Sequence, residues 1–259
     1  MISQEKLDHI RRLVATRGAV AREVLTAMIT ATIGPDLPQL LAAFDDLGNH
    51  RDLEWLVYTY LNSRQRTTVL GHIAEQSSSW TPAIRVVSDV DDTVIASIND
   101  RSHPTGELYP GVITFLTQLG DDPGITFLTA RLQGRFGVME DLLRQQLLAL
   151  GLPTATVLTG RIGFIATRRA QARRKAINLG HLLALHPNER VILVGDTVQG
   201  DVILANYALK TWPDRMVAVF IHLVGELKDR PAAGIVCFKD YEQAWQQAEE
   251  RGLLQRLRH

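Results

Sequence analysis

Three aspartates lie within four positions directly after an apolar run. The run IRVV leads into Ser88 and then into Asp89, Asp91 and Asp92. Carboxylates repel one another and are poor strand formers, so we expect the cluster where a strand ends. A two-residue spacing lets Asp89 and Asp91 face one pocket, because strand side chains alternate with period two. Asp92 then faces the other way, which predicts a surface or loop-capping role for it.

Two further apolar runs end in side chains that could bind a ligand. ITFL leads into Thr129, and VILV leads into Asp196, with Asp201 following. In a parallel sheet the ligand lies at the carboxyl ends of the strands, where these side chains would meet. Hard cations such as Mg²⁺ take oxygen ligands, and carboxylates are among them. The pattern therefore predicts an acidic Mg²⁺ site at this edge.

A cation for an anionic substrate lies in the segment before VILVGD. The stretch ATRRAQARRKAINL contains five basic residues, most of which we expect on a solvated face. Lys175 adjoins the apolar face set by Ala176, Ile177 and Leu179, so it is the one predicted to point inward. There it would bind a phosphate and hold a nucleophilic carboxylate in its charged form.

The elements that must position these residues differ between the two parts of the chain. From IRVV onward, short apolar runs alternate with longer amphipathic segments, which predicts a parallel sheet covered by helices on both faces. The first eighty residues show helical spacing only, and the polar run QSSSWTP ends them. We predict an all-helical region over residues 1–80 and an α/β region over residues 81–259.

Composition excludes several classes of protein. The formal net charge is zero, which argues against a general nucleic-acid binder. The longest apolar stretch, MVAVFIHLVG, is too short to cross a bilayer, and the charged N-terminus does not resemble a signal peptide. We therefore expect a cytoplasmic protein, with peripheral attachment to a membrane left open. The single cysteine, Cys237, excludes an internal disulfide, and nothing in the sequence predicts the oligomeric state.

Together, SDVDDT, ITFLT, the helix-borne Lys175 and GDTVQGD resemble the four motifs of haloacid dehalogenase (HAD) phosphatases. The sequence is most similar to the actin-patch phosphatidate phosphatase catalytic domain family. WPDRMVAVFIHLV and the closing FKDYEQAWQQAEERGLL also fit that family, and the likeness covers about residues 85–254. The family usually places Pro-Trp after the serine of its second motif, where this chain has Thr129-Ala130-Arg131.

The resemblance implies a HAD-like Rossmannoid three-layer sandwich without a large cap domain. It implies that Asp89 is a nucleophile forming an aspartyl-phosphate, and that Asp91 is the general acid and then the general base. It also implies that Mg²⁺ is bound by Asp89, by the backbone carbonyl of Asp91 and by Asp196. Thr129 would donate a hydrogen bond to a phosphoryl oxygen, and Lys175 would supply positive charge.

Three further residues receive supporting roles. We expect Thr93 to order its loop by bonding to backbone or to the general acid. We expect Asp201 to orient Lys175 or a water molecule, and Arg131 to contact the phosphate of the substrate. The polar segment 95–109 corresponds to the place where this superfamily carries a flap over its substrate.

The predicted function is therefore a Mg²⁺-dependent phosphomonoester hydrolase acting on phosphatidate or a related lipid phosphate. Two alternatives stay open at this point. One is a phosphatase of small soluble phosphates or of nucleic-acid ends, because the segment after Thr129 departs from the family pattern. The other is a non-enzymatic scaffold whose N-terminal helices bind a partner.

Overall fold

A computed structural model describes residues 4–16, 18–45, 51–119, 124–132, 138–152, 156–160 and 167–254. The chain forms two compact units. The helical unit comprises residues 1–82 and 180–188, and the α/β unit comprises residues 83–179 and 189–259. The sequence pattern had assigned residues 180–188 to the α/β region, whereas the structure groups them with the N-terminal helices.

The helical unit packs short helices around an apolar core of its own. Its helices are α1 (Gln4–Thr16), α2 (Ala19–Ala31), α3 (Asp36–Asp45), α4 (Leu53–Trp55) with the π-helical turn Leu56–Tyr60, and α5 (Ser63–Gln76). Helix α5 begins at a capping box, in which the Asn62 side chain accepts from the Gln65 N–H at 3.0 Å and the Gln65 side chain accepts in return. The core includes Leu25, Leu40, Phe44 and Ile73, each fully buried.

The α/β unit is built on a six-stranded sheet with the order β3-β2-β1-β4-β5-β6. The strands are β1 (Ala83–Ser88), β2 (Ile125–Leu132), β3 (Thr156–Gly160), β4 (Glu189–Asp196), β5 (Met216–His222) and β6 (Val236–Phe238). Every neighbouring pair is parallel, as the continuous apolar runs predicted.

Helices cover the sheet, and together they confirm the predicted three-layer HAD-like α/β fold. They are α6 (Val112–Gln118), α7 (Val138–Ala149), α8 (Arg168–Leu185), α9 (Asp201–Thr211) and α10 (Tyr241–Glu250). Aromatic rings fill part of the core: Phe115 meets Phe220 edge to face at 5.3 Å and also packs against Tyr241.

The strand register aligns the predicted site residues at one edge of the sheet. Ser88, the last residue of β1, pairs with Phe127 of β2 on one side and with Val194 of β4 on the other. Asp196, the last residue of β4, pairs with His222 at the end of β5. The edge at which these strands end is called the carboxyl edge below. None of the helices in the described ranges combines the length and the apolar composition that a membrane span requires.

Candidate active site

The carboxyl ends of β1 and β4 place Asp89 beside Asp196 and Asp201. The Asp89 backbone N–H donates to the Val194 carbonyl at 2.9 Å, which extends the ladder between the two strands by one residue. Asp201 opens helix α9, and its carboxylate accepts a hydrogen bond from the Asp196 backbone N–H at 3.2 Å. All three carboxylates are buried, with at most 2% of each residue exposed.

Two glycines allow the chain to bring these carboxylates together. A Cβ atom on Gly195 would lie 2.6 Å from the Asp201 Cβ, so no larger residue fits between β4 and the start of α9. Gly200 has a φ of 83°, a left-handed conformation that favours glycine, and a Cβ there would lie 2.3 Å from the Arg168 carbonyl oxygen. Both glycines of GDTVQGD therefore serve close approach of backbone segments at this edge.

Lys175 is the buried cation of the site. Helix α8 carries it inward as the sequence predicted, and its side chain is fully buried. Its Nζ lies 2.6 Å from Asp201 Oδ1 and 3.0 Å from Asp89 Oδ1. Burial acts to lower the pKa of Lys175, but attraction by Asp201 and Asp89 outweighs it and raises the pKa above its usual range. Lys175 is therefore charged, and one ammonium group serves two carboxylates.

Burial disfavours the charged form of the carboxylates at this site. Burial, followed by repulsion from Asp201, raises the pKa of Asp196 to about 7. Burial also raises the pKa of Asp89 well above its usual range, although Lys175 opposes the shift. Lys175 alone does not offset this concentration of negative charge, so the cluster could accommodate a further cation.

Carboxylate oxygens without a hydrogen bond indicate where such a cation could bind. Neither carboxylate oxygen of Asp89, nor Asp196 Oδ2, accepts a hydrogen bond within the described residues. The other oxygen of Asp196 accepts from the backbone N–H groups of Val198 and Gln199. Asp89, Asp196 and Asp201 each offer one oxygen, and these oxygens lie within 4.8 Å of one another. An all-carboxylate set of this kind suits a hard divalent cation.

Asp91 lies close to this group, but its side chain is not part of it. Its charge acts on Asp89, where it contributes to raising the pKa, and its side chain is half-buried. Thr129 is fully buried in β2, two residues beyond the residue that pairs with Ser88. Strand β2 runs on to Leu132 and has an irregular register after Leu128. The side chain of Arg131 lies outside the described residues.

Thr93 differs from the expectation. Its hydroxyl is buried and makes no hydrogen bond within the described part of the chain. Its backbone carbonyl accepts instead from the Tyr241 hydroxyl at 2.6 Å. Tyr241 of α10 therefore holds the loop after β1.

Asp92 is the structural centre of the loop. It is fully buried, which excludes the surface role, and it caps the flap as the other predicted role required. Its carboxylate accepts from the Ser97 backbone N–H at 2.9 Å, from Ser97 Oγ at 2.6 Å and from Asn99 Nδ2 at 2.8 Å. Its φ of 58° is the one positive value outside glycine in the described residues. Asp92 therefore ties the loop after β1 to the flap.

His222 and Tyr241 were missed by sequence reasoning. His222, at the end of β5, lies with one ring nitrogen 2.9 Å from the Asp92 carbonyl and with the other 3.2 Å from the Lys239 carbonyl. Both residues hold the loop through its backbone oxygens. Such a contact does not depend on the residue type in the loop, so no sequence motif indicates it. The segments WPDRMVAVFIHLV and FKDYEQAWQQAEERGLL, which fit the family, contain these two residues, and that likeness was the one sign of them in the sequence.

The fold and this edge define a HAD-like α/β protein with a cluster of buried aspartates that could hold a metal ion. The chain matches the family model described as phosphatidate phosphatase APP1, catalytic domain, over residues 84–223, just over half of its length. The chain belongs to this family, as the motifs indicated. No curated protein matched the chain. Family membership supports a phosphatase.

Proposed function

We propose that the protein is a Mg²⁺-dependent phosphomonoesterase that acts on phosphatidate or a related lipid phosphate. The observation that carries the proposal is the Asp89 carboxylate, which is buried, 3.0 Å from the Lys175 ammonium, and without a hydrogen bond in the described residues. A carboxylate that is paired with a cation but accepts no hydrogen bond is available to attack an electrophile.

The chemistry proceeds in two displacements at phosphorus. In the first, an Asp89 oxygen attacks phosphorus, the ester P–O bond breaks, and Asp91 gives a proton to the departing alkoxide. In the second, water attacks the phosphorus of the aspartyl-phosphate and gives a proton to Asp91, which releases inorganic phosphate and regenerates Asp89. Lys175 favours the charged form of Asp89, which burial disfavours, and Asp201 holds Lys175 in place at 2.6 Å.

Mg²⁺ would be held by carboxylate oxygens of Asp89 and Asp196, with Asp201 as a further donor. Asp91, for which we predict a backbone carbonyl ligand, lies next to this set along the chain. When bound, the ion neutralises charge on the carboxylates and on the phosphoryl oxygens. The hydroxyls of Thr93 and Thr129 lie at the same edge, and we propose Thr129 as the donor to a phosphoryl oxygen.

The decisive experiment compares Asp89→Asn with the wild-type protein. Turnover of phosphatidate in mixed micelles with Mg²⁺ should fall by at least about 10³-fold, because the amide cannot act as the nucleophile. The matched control is Asp214→Asn, an exposed aspartate before β5, which should keep full activity. Retained hydrolysis by a folded Asp89→Asn protein contradicts the assignment.

A substrate panel separates the lipid substrate from the alternative of small soluble phosphates. The departure at Thr129-Ala130-Arg131 from the usual Pro-Trp favours testing both. Turnover of nucleotide or sugar phosphates without turnover of phosphatidate would replace the lipid assignment. No turnover of any phosphate by the Mg²⁺-loaded protein would support the scaffold alternative.

A further inference from the structure

The flap presents one apolar side chain to solvent. Ile98 is 84% exposed, the largest exposure of any large apolar residue in the described ranges. Its neighbours Ser97 and Asn99 both donate hydrogen bonds to the buried Asp92 carboxylate, which fixes the conformation of the turn. An anchored turn that exposes Ile98 loses little conformational entropy when that side chain inserts into an apolar phase.

A second exposed apolar residue lies on another loop at the carboxyl edge. The flap follows β1 and residues 223–235 follow β5, and these parallel strands end at the same edge. Leu227 in the latter loop is 45% exposed. The Asn206 side chain holds this loop by donating to the Arg230 carbonyl at 2.9 Å and accepting from the Ala232 N–H at 2.8 Å.

Basic residues of α8 lie at this edge as well. The first residue of the helix, Arg168, pairs with Asp229 of the β5 loop and contacts Gly200 after β4. Arg169 and Arg173 are exposed. They lie on one face of the helix, because residues four apart are neighbours there. Helix α8 contains no acidic residue.

The β5 loop adds further charge at this edge. Lys228 and Arg230 are exposed there, and the exposed acidic residues of the two loops are Glu107 and Glu226. Basic side chains thus outnumber acidic ones around the exposed apolar residues, which favours an anionic partner.

We propose that the carboxyl edge of the α/β unit docks on an anionic lipid bilayer, with Ile98 and Leu227 entering the apolar layer and Arg169 and Arg173 contacting headgroup phosphates. A bilayer is the partner that supplies an apolar interior and anionic phosphate on one surface. The proposal rests on the proposed function in one respect: docking on this edge brings lipid headgroups to the strand ends that carry Asp89.

The test is flotation of the full chain with vesicles of phosphatidylcholine, with and without phosphatidylserine, which is anionic but carries no phosphomonoester. Binding should require phosphatidylserine and weaken with salt. The double variant Arg169→Gln/Arg173→Gln should bind about 25-fold more weakly, about fivefold for each charge. Ile98→Ser should bind roughly tenfold more weakly, since part of the isoleucine no longer leaves water.

Matched controls lie elsewhere on the same unit. Arg190→Gln changes an exposed arginine near the start of β4, at the opposite edge, and Leu148→Ser changes an exposed leucine on α7. Both should bind vesicles as the wild type does. If the controls lose as much vesicle binding as the test variants, the proposal is overturned. It is also overturned if the wild type binds equally well with and without phosphatidylserine. Test variants that change the oligomeric state in size-exclusion chromatography instead indicate that a second copy covers this edge, which also overturns it.

Turnover of p-nitrophenyl phosphate with Mg²⁺ separates this proposal from the proposed function. The double variant Arg169→Gln/Arg173→Gln should keep this turnover, because neither changed side chain belongs to the site around Asp89 or to the flap. Wild-type protein that binds anionic vesicles but hydrolyses no phosphate leaves the docking surface intact and refutes the enzyme. Wild-type protein that hydrolyses phosphate but does not bind vesicles refutes the docking surface alone.

Discussion

The two units differ in what they bury together with their apolar cores. In the described part of the helical unit, Asp52 is the one buried charged residue, and it caps a helix by accepting from the Trp55 N–H at 3.0 Å. The α/β unit buries four aspartates and a lysine along one edge: Asp89, Asp92, Lys175, Asp196 and Asp201. A single capped carboxylate is ordinary structure, whereas a cluster of carboxylates with one ammonium group is not.

Physical chemistry explains why the difference points to function. Burying a charge costs free energy unless it is paired and hydrogen-bonded. Asp52 meets that condition through a helix end, but both oxygens of Asp89 and one of Asp196 accept no hydrogen bond within the described residues. A fold that tolerates such oxygens loses stability at this edge, and a bound cation and substrate would restore it.

The largest expected effect tests whether Lys175 holds the cluster together. Lys175→Met should lower turnover by at least about 10³-fold. In EDTA it should also lower the free energy of unfolding by about 3 kcal/mol, because Asp89 and Asp201 lose their buried partner. Urea unfolding and steady-state kinetics measure the two. Lys210→Met, on the exposed part of α9, is the control and should change neither. Unchanged stability for Lys175→Met would show that the buried carboxylates do not depend on it.

The next effect concerns Asp92, a buried carboxylate with a purely positioning role. Asp92→Ala removes the acceptor for Ser97 and Asn99 and places alanine at a positive φ, so we expect a loss of about 2 kcal/mol of stability. Turnover should fall roughly tenfold, as expected for lost positioning. Limited proteolysis should cut the variant faster between residues 97 and 103. Asp92→Asn, which tolerates the left-handed backbone, should show smaller losses.

A smaller effect is the competition between protons and Mg²⁺. Burial and Asp201 raise the pKa of Asp196 to about 7, so below that pH the group is neutral and must release a proton to bind metal. Metal affinity should therefore fall as the pH drops, by about tenfold between pH 8 and pH 6. The rise in Tm caused by Mg²⁺, measured by calorimetry, should be larger at pH 8.

In the metal-free protein, the same raised pKa makes stability fall as the pH rises, whereas metal affinity increases. Stability from the neutral Asp196 is present below the unfolded pKa of 3.8 and is lost as the pH rises toward 7. A Mg²⁺ effect on Tm that does not depend on pH would argue against Asp196 as a ligand. In Asp196→Asn the pH dependence should become smaller, and what remains should come from Asp89, whose pKa burial also raises.

The smallest effect falls on the helical unit. Asp52→Ala should cost about 1 kcal/mol, the usual value of a lost N-cap, and leave turnover unchanged. The measurement pairs urea unfolding with the phosphatidate assay. A large loss of turnover at unchanged stability would mean that the helical unit takes part in catalysis, and the contrast between the two units would no longer hold.

The sequence allowed much of the α/β unit to be predicted. The apolar stretches of β1 and β4 indicate strands buried on both faces, and the sheet with its buried strands confirms the interpretation. The inward direction of Lys175 followed from its place beside the apolar face of α8. These predictions succeeded because they depend on local periodicity and on the rule that parallel strands present their carboxyl ends together. The catalytic roles of the site residues stay predictions.

Other features depend on contacts between distant segments and could not be read locally. Side-chain alternation indicated that Asp92 faces away from Asp89, but not that it is buried and bonded to Ser97 and Asn99. The hold of Tyr241 on the Thr93 carbonyl joins residues far apart in the chain. The grouping of residues 180–188 with the helical unit is likewise a packing outcome.

By itself, the sequence of this protein determined which chemical groups stand at the strand ends, because residue type and periodicity are local properties. The order SDVDDT, Thr129, Lys175, GDTVQGD was enough to predict an acidic edge with one inward cation. Only the tertiary structure decided which oxygens remain without a hydrogen bond, which carboxylates share Lys175, and which aspartate holds the flap. Those properties depend on distances of a few ångströms between segments that only folding brings together.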